Sequence, residues 1–439
     1  MRNEDEIKQD EGEEALQIPW YQKILAYLIY LPNITPLRVL FKSEIFPWAF
    51  LYALRKDLRI TLPYALFLGY LVISVSVNLS KFSSLIDPAR AFFALVNASL
   101  IFFALINIKH KEFRFLSKAF EWVFFINVAL SIIQFMGLFP VDLEPFMRLF
   151  LDRFTADAEV YGGGRGVAGL FAEPSYASLS LHYYFAYFML NRRIKPMSVM
   201  GFAAISAMIF FDIYIIRSVT GLLMIAIYLA SLQKFTKLLK IGVVLGIVFY
   251  VTLYTLSKRD DVPRSVEVAV SFIKDKDYQD PMPWLLEQSG FRFVSVWAAY
   301  NYGLNHPFGS GIGNWSQASI DAMDAIGVPA SAMSFFAEIA GNEYTGVRPT
   351  SFGAGLMLET GIVGLLLFLI AFFPFVSRKE MYKDTNARAL MVFFLFNIFA
   401  LGSIGDPIPF IFFALAYRTV VIPKEAETEI QIEATATTE

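Results

Sequence analysis

Long runs of apolar residues, separated by short polar or basic segments, dominate the pattern of this chain. A helix needs about 20 apolar residues to cross a lipid bilayer. Runs of roughly that length lie at 60–79, 88–107, 116–138, 168–190, 198–215, 218–233, 238–257, 351–375 and 387–404, and 410–417 indicates a short last span. This pattern predicts an all-α polytopic membrane protein with about twelve transmembrane helices.

The first apolar segments of the chain, at 20–30 and 45–54, are shorter than the rest. Pro32, Pro36 and Pro47 interrupt this region, and proline breaks or begins helices and does not continue them. Two arrangements fit the pattern: a pair of abbreviated spans, or one interfacial helix followed by a span.

Basic residues in the connecting segments predict the orientation of the chain. Five clusters alternate with the spans, and short basic segments remain in the cytoplasm. We therefore expect two cytoplasmic tails, at 1–19 and 418–439, around a transmembrane domain at 20–417. The predicted external loops are about 139–167 and about 258–350, and the second is long enough to contain short helices. The clusters begin at Arg55, Lys109, Arg192, Lys234 and Arg378.

Composition limits the chemistry that the chain can perform. Hydrophobic residues make up 56% and charged residues 17% of the 439 positions, and the net charge is -2. That charge excludes nucleic-acid binding by bulk electrostatics. The absence of cysteine excludes disulfides and thiolate sites, and three histidines do not provide for a histidine-rich metal centre. We expect neither a bound metal nor a cofactor.

Four arginines lie at the predicted external boundary of the membrane. A guanidinium group can hold two phosphate oxygens at once, and a charge at this boundary is costly to desolvate. One such arginine can also reach lipid headgroups, but four on one predicted face favour an anionic site. Asp212 is the main charged residue predicted inside a span. The arginines are Arg165, Arg217, Arg292 and Arg348.

Two further residues are candidates for chemistry. Glu173 precedes Pro174, and an acidic residue before a proline favours the start of a helix. Glu173 is thus either a cap, a residue that orients an arginine such as Arg165, or a proton acceptor. His306 is a candidate general base in a predicted external loop. The glycines that follow it at alternate positions predict a tight turn with close backbone packing.

Taken together, these segments resemble the O-antigen polymerase/ligase family of bacterial inner-membrane proteins. The matching segments are 165–175, Arg217 with Ser218, Arg292 followed by 306–313, and 351–364, in this order on the predicted external face. Ligases of the family carry a histidine about nine residues before the glutamate that corresponds to Glu359. Thr350 occupies that place here, which favours a Wzy-type polymerase over a ligase.

The resemblance implies a metal-independent membrane glycosyltransferase with its active site on the periplasmic face. It would transfer a growing glycan from undecaprenyl diphosphate to an incoming lipid-linked repeat unit of O antigen, capsule or exopolysaccharide. The implied partners are that undecaprenyl-diphosphate-linked oligosaccharide, membrane lipids and a chain-length regulator, and no nucleic acid.

The resemblance also implies roles for the candidate residues. Arg165, Arg217 and Arg292 would bind the diphosphate, and Glu173 would orient them. Arg348 would position the acceptor or support its deprotonation. An O-antigen ligase and a transporter of lipid-linked glycans remain alternatives. A transporter should carry charges through the depth of several spans, whereas the charges here are concentrated at one predicted face.

Overall fold

The computed structural model describes residues 18–35, 45–55, 58–78, 85–151, 166–232, 254–255, 258, 291–329, 331, 336–340 and 343–422. Several predictions lie outside the described residues. They concern most of the two tails, Arg165, nearly all of the predicted span at 238–257, and the first third of the predicted external loop at 258–350.

Helices make up almost all of the regular secondary structure of the described residues. In chain order they are α1 (Trp20–Leu28), α2 (Pro47–Ala53), α3 (Leu62–Asn78), α4 (Ile86–Ile106), α5 (His110–Phe135), a 3₁₀ turn (Val141–Leu143), α6 (Glu144–Met147), α7 (Pro174–Asn191), α8 (Val199–Phe210), a π-helix (Phe211–Ile216), α9 (Val219–Ser231), α10 (Phe291–Asn305), α11 (Trp315–Asp324), α12 (Phe352–Val376), α13 (Lys379–Lys383), α14 (Thr385–Phe399) and α15 (Ile408–Val420).

The helices identify a membrane protein. Among the described residues, four stretches are long and apolar enough to cross a bilayer by length and composition: α4, α5, α8 with its π-helical end, and α12, which is however interrupted at Gly361. Four shorter apolar helices, α3, α9, α14 and α15, accompany them. The predicted count of about twelve spans is not confirmed, since a helix such as α14, with 15 residues, extends about 22 Å against a hydrocarbon core of about 30 Å.

Most predicted spans correspond to helices with similar ends. The predicted span at 88–107 is α4, and the one at 198–215 is α8 with the π-helix that follows it. The predicted span at 168–190 begins later, at Pro174, because proline suits the first turn of a helix and not its interior. In the N-terminal third, the two short segments form α1 and α2, of 9 and 7 residues.

Aromatic side chains form the centre of the bundle. Phe102 of α4 stacks on Phe413 of α15, with ring centroids 5.2 Å apart, and Phe413 in turn stacks on Phe394 of α14 at 4.5 Å. Phe372 of α12 packs edge-on against Phe410 of α15. Ring contacts of this kind add about 0.5–1.5 kcal/mol each beyond the burial of their area. They hold α12, α14 and α15 around α4.

Helix α12 is broken at Gly361 and folds back on itself. Gly361 has φ 65° and ψ −167°, a conformation that is essentially restricted to glycine. The ring centroids of Phe352 and Phe368 are 4.9 Å apart, although an unbroken helix would separate the two positions by about 24 Å along its axis. The segments 352–360 and 362–376 are therefore two packed helical halves, which we call the broken-helix hairpin.

The glycine-rich segment 306–314 closes the tip of this hairpin, and we call it the capping loop. Its Ser310 and Gly311 N–H groups donate to the carbonyls of Leu358 and Glu359 at 3.0 and 2.9 Å. Tyr70 of α3 donates to the next carbonyl, that of Thr360, at 3.0 Å. The carbonyls that the break would leave without partners are thus satisfied.

The glycines of the capping loop allow this close approach. Gly309, Gly311 and Gly313 all have positive φ, and a Cβ on Gly309 would lie 2.4 Å from the Glu359 carbonyl carbon. The predicted tight turn with close backbone packing is confirmed.

A second, smaller core lies beside the hairpin. Ala298 of α10, Ala322 of α11 and Leu358 of α12 are buried in it. The predicted long loop thus contains helices of its own, as expected. It also contains a two-stranded antiparallel sheet, β1 (Ala337–Ala340) with β2 (Glu343–Thr345), in which Ala337 faces Thr345. This small sheet is a departure from a purely helical fold.

We expect Gly361→Ala to destabilise the protein strongly. The backbone conformation alone costs about 1–3 kcal/mol for a non-glycine residue. A Cβ would in addition lie 2.2 Å from the Pro307 carbonyl oxygen. Gly137→Ala is the control for the cost of a positive φ, since Gly137 has φ +66° but open space around its Cβ position.

Gly69→Ala is the control for both the positive φ and the steric overlap, since nothing lies within 4 Å there and its φ is negative.

Thermal unfolding in detergent is the measurement. The melting temperature should fall least for Gly69→Ala, more for Gly137→Ala and most for Gly361→Ala. Equal melting temperatures for the Gly361 and Gly137 variants would show that the capping loop does not press on the hairpin.

Candidate functional site

A small cleft of about 30 Å³ brings together segments that lie far apart in the sequence. It is lined by residues from the start of α7, the start of α9, the start of α10, the residue before the α12 cap, and the connection between α14 and α15. These are the segments that the sequence analysis singled out, with one addition, the α14–α15 connection. The lining residues are Ser175, Tyr176, Leu179, Thr220, Arg292, Thr350, Leu401 and Gly402.

Arg292 is the charged residue that lines this cleft. It lies in the first turn of α10 and is half-buried. Its Nη2 donates to the hydroxyl of Ser175 at 3.4 Å, and its carbonyl oxygen accepts from the hydroxyl of Thr350 at 3.4 Å. The guanidinium group therefore contacts the first turn of α7, and the backbone of Arg292 contacts the segment that leads into α12.

Helix N-termini surround the same cleft. Ser175 and Tyr176 belong to the first turn of α7, Thr220 belongs to the first turn of α9, and Thr350 precedes Ser351, the N-cap residue of α12. The first N–H groups of a helix have no partner within the helix, and the helix dipole places about half a positive charge there. The ends of α7 and α9, together with Arg292, suit an anion. At α12 the Ala354 N–H is already bonded to the Ser351 side chain, and most of the exposed lining of the cleft is apolar.

Glu173 occupies the N-cap position of α7, which agrees with its interpretation as a helix cap. Its backbone is extended, with φ −156° and ψ 160°, and its side chain makes no capping hydrogen bond to α7. Glu173 therefore stands at the cap position without capping α7 by its side chain. The helix begins here because Pro174 supplies its first residue. Glu173 lies two residues before Ser175, the contact of Arg292.

Arg217 lies at the end of the π-helix, in the left-handed conformation at φ 54°. Its side chain is exposed, its Nε donates to the Tyr214 carbonyl at 3.0 Å, and its guanidinium carbon lies 5.6 Å from the centroid of the Phe135 ring. The structure thus brings the segment after Arg217, with Thr220, to the cleft, while the Arg217 side chain lies against α5.

Arg165 is outside the described residues, but the residue that follows it is not. A Cβ on Gly166 would lie 1.8 Å from the Ile216 carbonyl oxygen, and the Val167 N–H donates to the Ile215 carbonyl at 3.3 Å. The chain next to Arg165 therefore packs on the last turn of the π-helix, beside Arg217.

Arg348 and Glu359 form a buried ion pair at the hairpin tip. Arg348 Nη2 lies 2.9 Å from Glu359 Oε1, with side-chain exposures of 8% and 0%. The other carboxylate oxygen accepts from the Gly313 N–H at 3.1 Å. The guanidinium group also lies over the Trp315 ring, 5.0 Å from its centroid. Arg348 thus joins the capping loop, α11 and the broken-helix hairpin, while Thr350, two residues on, lines the cleft.

His306 is not brought to the cleft. It follows the last residue of α10, whereas Arg292 lies in the first turn, and this separation is about 21 Å along the helix axis. The ring is exposed and stacks on Tyr302, with ring centroids 4.1 Å apart. A histidine at this place cannot deprotonate a group that is bound next to Arg292.

Sequence reasoning missed the hydroxyl and backbone groups of the cleft. Ser175, Thr220 and Thr350 are common residue types at helix starts, so they carry no signal of a ligand by themselves. The available signal was their position in the sequence. Ser175 follows Glu173 and Pro174, Thr220 lies three residues after Arg217, and Thr350 lies two residues after Arg348.

The connection between α14 and α15 contains a buried acid. Asp406 is 5% exposed, and burial raises the pKa of its carboxyl from 3.8 to about 7. The Ile408 N–H donates to its Oδ1 at 3.0 Å, which opposes the rise without cancelling it. Gly402 of the same connection lines the cleft, and its N–H donates to the Thr350 carbonyl at 2.7 Å.

Among the described residues, no three histidine, aspartate or glutamate side chains cluster in a way that could hold a metal ion.

Comparisons with the models of known protein families, with characterised proteins and with solved structures found no match. The geometry of the cleft and the sequence pattern therefore carry the functional argument.

We expect Glu359→Gln to lower the free energy of unfolding by about 3–5 kcal/mol, the cost of breaking a buried ion pair by removing one partner. The reason is that Arg348 would keep its charge in a buried place and lose the carboxylate. Arg348→Met combined with Glu359→Gln should recover much of this loss. The measurement is chemical denaturation in detergent.

The matched control is Glu144→Gln. Glu144 pairs with Arg148 at 2.5 Å, but the arginine side chain is 51% exposed, and exposed pairs contribute only about 0–1 kcal/mol. Similar losses for the two glutamate variants would mean that the Arg348–Glu359 pair is no more important than a surface pair.

A second prediction concerns pH. Because the folded pKa of Asp406 is raised, the folded protein holds this proton to a higher pH than the unfolded chain does. Stability should therefore be highest near pH 4, fall between about pH 4 and pH 7, and stay level above that range. Asp406→Asn keeps an acceptor for the Ile408 N–H and cannot ionise, so it should remove this part of the decline.

Melting temperatures from pH 4 to pH 8 test this expectation. The variant should be the more stable protein at pH 8, and Asp142→Asn, at an exposed position, should follow the wild type. Parallel curves for the wild type and Asp406→Asn would contradict it.

Proposed function

We propose that this protein is a membrane glycosyltransferase that polymerises lipid-linked oligosaccharide repeat units. A growing glycan is transferred from undecaprenyl diphosphate to an incoming lipid-linked repeat unit, and the site faces the periplasmic side of a bacterial inner membrane. The observation that carries the proposal is the cleft in which Arg292 and the N-termini of α7 and α9 converge within an apolar helix bundle.

The chemistry of the cleft supports a diphosphate as the bound group. In the reaction, a hydroxyl oxygen of the acceptor sugar attacks the anomeric carbon of the donor, and the bond from that carbon to the diphosphate oxygen breaks. The diphosphate leaves with the bonding electrons. Arg292 and the helix N–H groups stabilise the negative charge that develops on it.

The form of the substrate also fits the surroundings of the cleft. An undecaprenyl diphosphate has a strongly anionic head and a long apolar chain. Such a molecule requires an electropositive site at the edge of an apolar bundle, because the chain stays in lipid while the head is held by polar groups. The cleft and the aromatic bundle around it supply these two environments.

We assign the other candidate residues by their contacts. Glu173 stands at the N-cap position of α7, two residues before Ser175, which contacts Arg292. Arg348, through its pair with Glu359, positions Thr350 at the cleft and so acts on the acceptor side without touching the diphosphate. Arg165 remains a predicted diphosphate ligand, whereas the Arg217 side chain lies against α5 and not in the cleft. The group that receives the proton of the acceptor is not assigned.

Thr350 favours a polymerase over a ligase. It occupies the position at which ligases of the similar family carry a histidine, and it lines the cleft directly. A threonine hydroxyl can hold a sugar hydroxyl by a hydrogen bond, but it does not act as a general base near neutral pH.

Arg292→Lys should reduce polymer yield by about 100-fold, the usual effect of removing one donor to a developing negative charge. A lysine keeps the charge but lacks the fork that can reach Ser175 and a phosphate oxygen together. The assay is extension of purified undecaprenyl-diphosphate-linked repeat units in the presence of EDTA, with chain length determined on a gel.

Arg148→Lys is the matched control, since Arg148 is an exposed arginine paired with Glu144. It should extend chains as the wild type does. Full activity of Arg292→Lys would remove the cleft from the mechanism. Loss of wild-type extension in EDTA with recovery in Mg²⁺ would contradict the arginine-based departure of the diphosphate. A single transfer to another acceptor would indicate a ligase.

A further inference from the structure

Asp212 is a buried acid directly behind the candidate cleft. It lies in the π-helix and is 0% exposed. The π-helix packs between α7 and α9, the two helices whose first turns supply Ser175, Tyr176 and Thr220 to the cleft. An ionisable group inside a membrane protein is costly to retain, which makes it a sign of a specific task.

The contact of Asp212 with α7 is a short hydrogen bond. The Ser178 hydroxyl donates to Asp212 Oδ1 at 2.6 Å, a length typical of a hydroxyl donating to a carboxylate. Ser178 lies one turn after Pro174 and next to Leu179, which lines the cleft. The Ser178 carbonyl in turn faces His182 Nδ1 at 2.7 Å. The acid is thus bonded to the turn that directly follows the one with Ser175.

The contact of Asp212 with α9 is direct packing against a glycine. A Cβ on Gly221 would lie 1.6 Å from Asp212 Oδ2, so a side chain at this position would displace the carboxylate. Gly221 is the third residue of α9 and follows Thr220. A carboxylate at the first turn of a helix is also favoured by the helix dipole.

The backbone of Asp212 completes the arrangement. Its carbonyl accepts from the Arg217 N–H at 2.7 Å, which closes the π-helix and leads the chain into α9. Asp212 therefore contacts α7 one turn after its start by one carboxylate oxygen, and it packs against the first turn of α9 by the other. Its carbonyl contacts the connection between the π-helix and α9.

We propose that Asp212 is a positioning residue that holds the first turns of α7 and α9 in register, so that their N–H and hydroxyl groups point together into the anion cleft. The effect of this alignment on catalysis rests on the proposed function. A displacement of about 1 Å of the aligned groups can lower the rate of such a reaction by about 100-fold. The alignment of the two turns does not depend on that function.

Two variants at Asp212 separate this role from space filling. Asp212→Asn keeps the acceptor for Ser178 and should retain at least a third of the activity. Asp212→Ala removes both contacts, and its activity should fall by about 100-fold.

Two further variants test the contact with Gly221. Gly221→Ala forces the carboxylate away, and its activity should fall by a similar factor. The double variant Asp212→Ala with Gly221→Ala removes the overlap but does not restore the hydrogen bond to Ser178. Its melting temperature should therefore be higher than that of Gly221→Ala, while it remains inactive.

A distance measurement tests the alignment without any assay of activity. The chain contains no cysteine, so spin labels on single cysteines at Ala172 and Val219, which flank the two turns, report their separation. We expect one narrow distance distribution in the wild type and in Asp212→Asn, and a broader distribution in Asp212→Ala.

The outcomes can be told apart. Recovery of activity in the double variant, or an unchanged distance distribution in Asp212→Ala, would overturn the positioning role. An inactive Asp212→Asn with a narrow distribution would overturn it too, because the charge and not the alignment would then be required. If the wild type fails to extend glycans while Asp212→Ala broadens the distribution, the proposed function fails and the positioning role stands.

Discussion

The break in α12 imposes the constraint on which the candidate site depends. A helix interrupted inside protein exposes carbonyl and N–H groups that must find partners, since no water is there to supply them. The carbonyls of Leu358, Glu359 and Thr360 find theirs in the capping loop and in Tyr70. The capping loop must therefore lie at the hairpin tip. Because α10 leads directly into that loop, α10 is placed beside 352–360, and its first turn brings Arg292 to the cleft.

The Arg348–Glu359 pair adds specificity to this arrangement more than it adds net stability. Two desolvated charges regain little beyond the cost of their burial, but only one position of the capping loop lets the Gly313 N–H and the guanidinium group share the carboxylate. The pair thus fixes where the chain enters α12, and with it the place of Thr350. A residue that resembles a catalytic arginine in the sequence is, in its contacts, a support for the wall of the cleft.

The helices could be predicted from apolar runs, and several of their ends from single residues such as Pro174. The fold-back at Gly361 could not, because a glycine inside an apolar run gives the same signal whether the helix continues or reverses. The choice among the arginines could not be predicted either. Arg217 and Arg292 both stand at helix starts, but Arg217 takes a left-handed backbone conformation that directs its side chain toward Phe135. That conformation follows from the π-helix, which has no clear sequence signature.

Helix N-termini explain how the cleft can suit an anion although a single arginine lines it. An arginine must be desolvated and must lose side-chain freedom before it can hold an anion. The N–H groups of a first turn are already fixed by the helix and carry their partial charge without either cost. A search of the sequence for charged residues finds such arginines but overlooks the N–H groups of helix starts.

A site built from helix N-termini depends on the alignment of its N–H groups more than on the number of charged side chains. The reason is that dipoles stabilise an anion only where they point at it together. This is why a buried carboxylate between α7 and α9 is compatible with an anion site: Asp212 fixes the direction of groups that have no flexible side chain to correct an error.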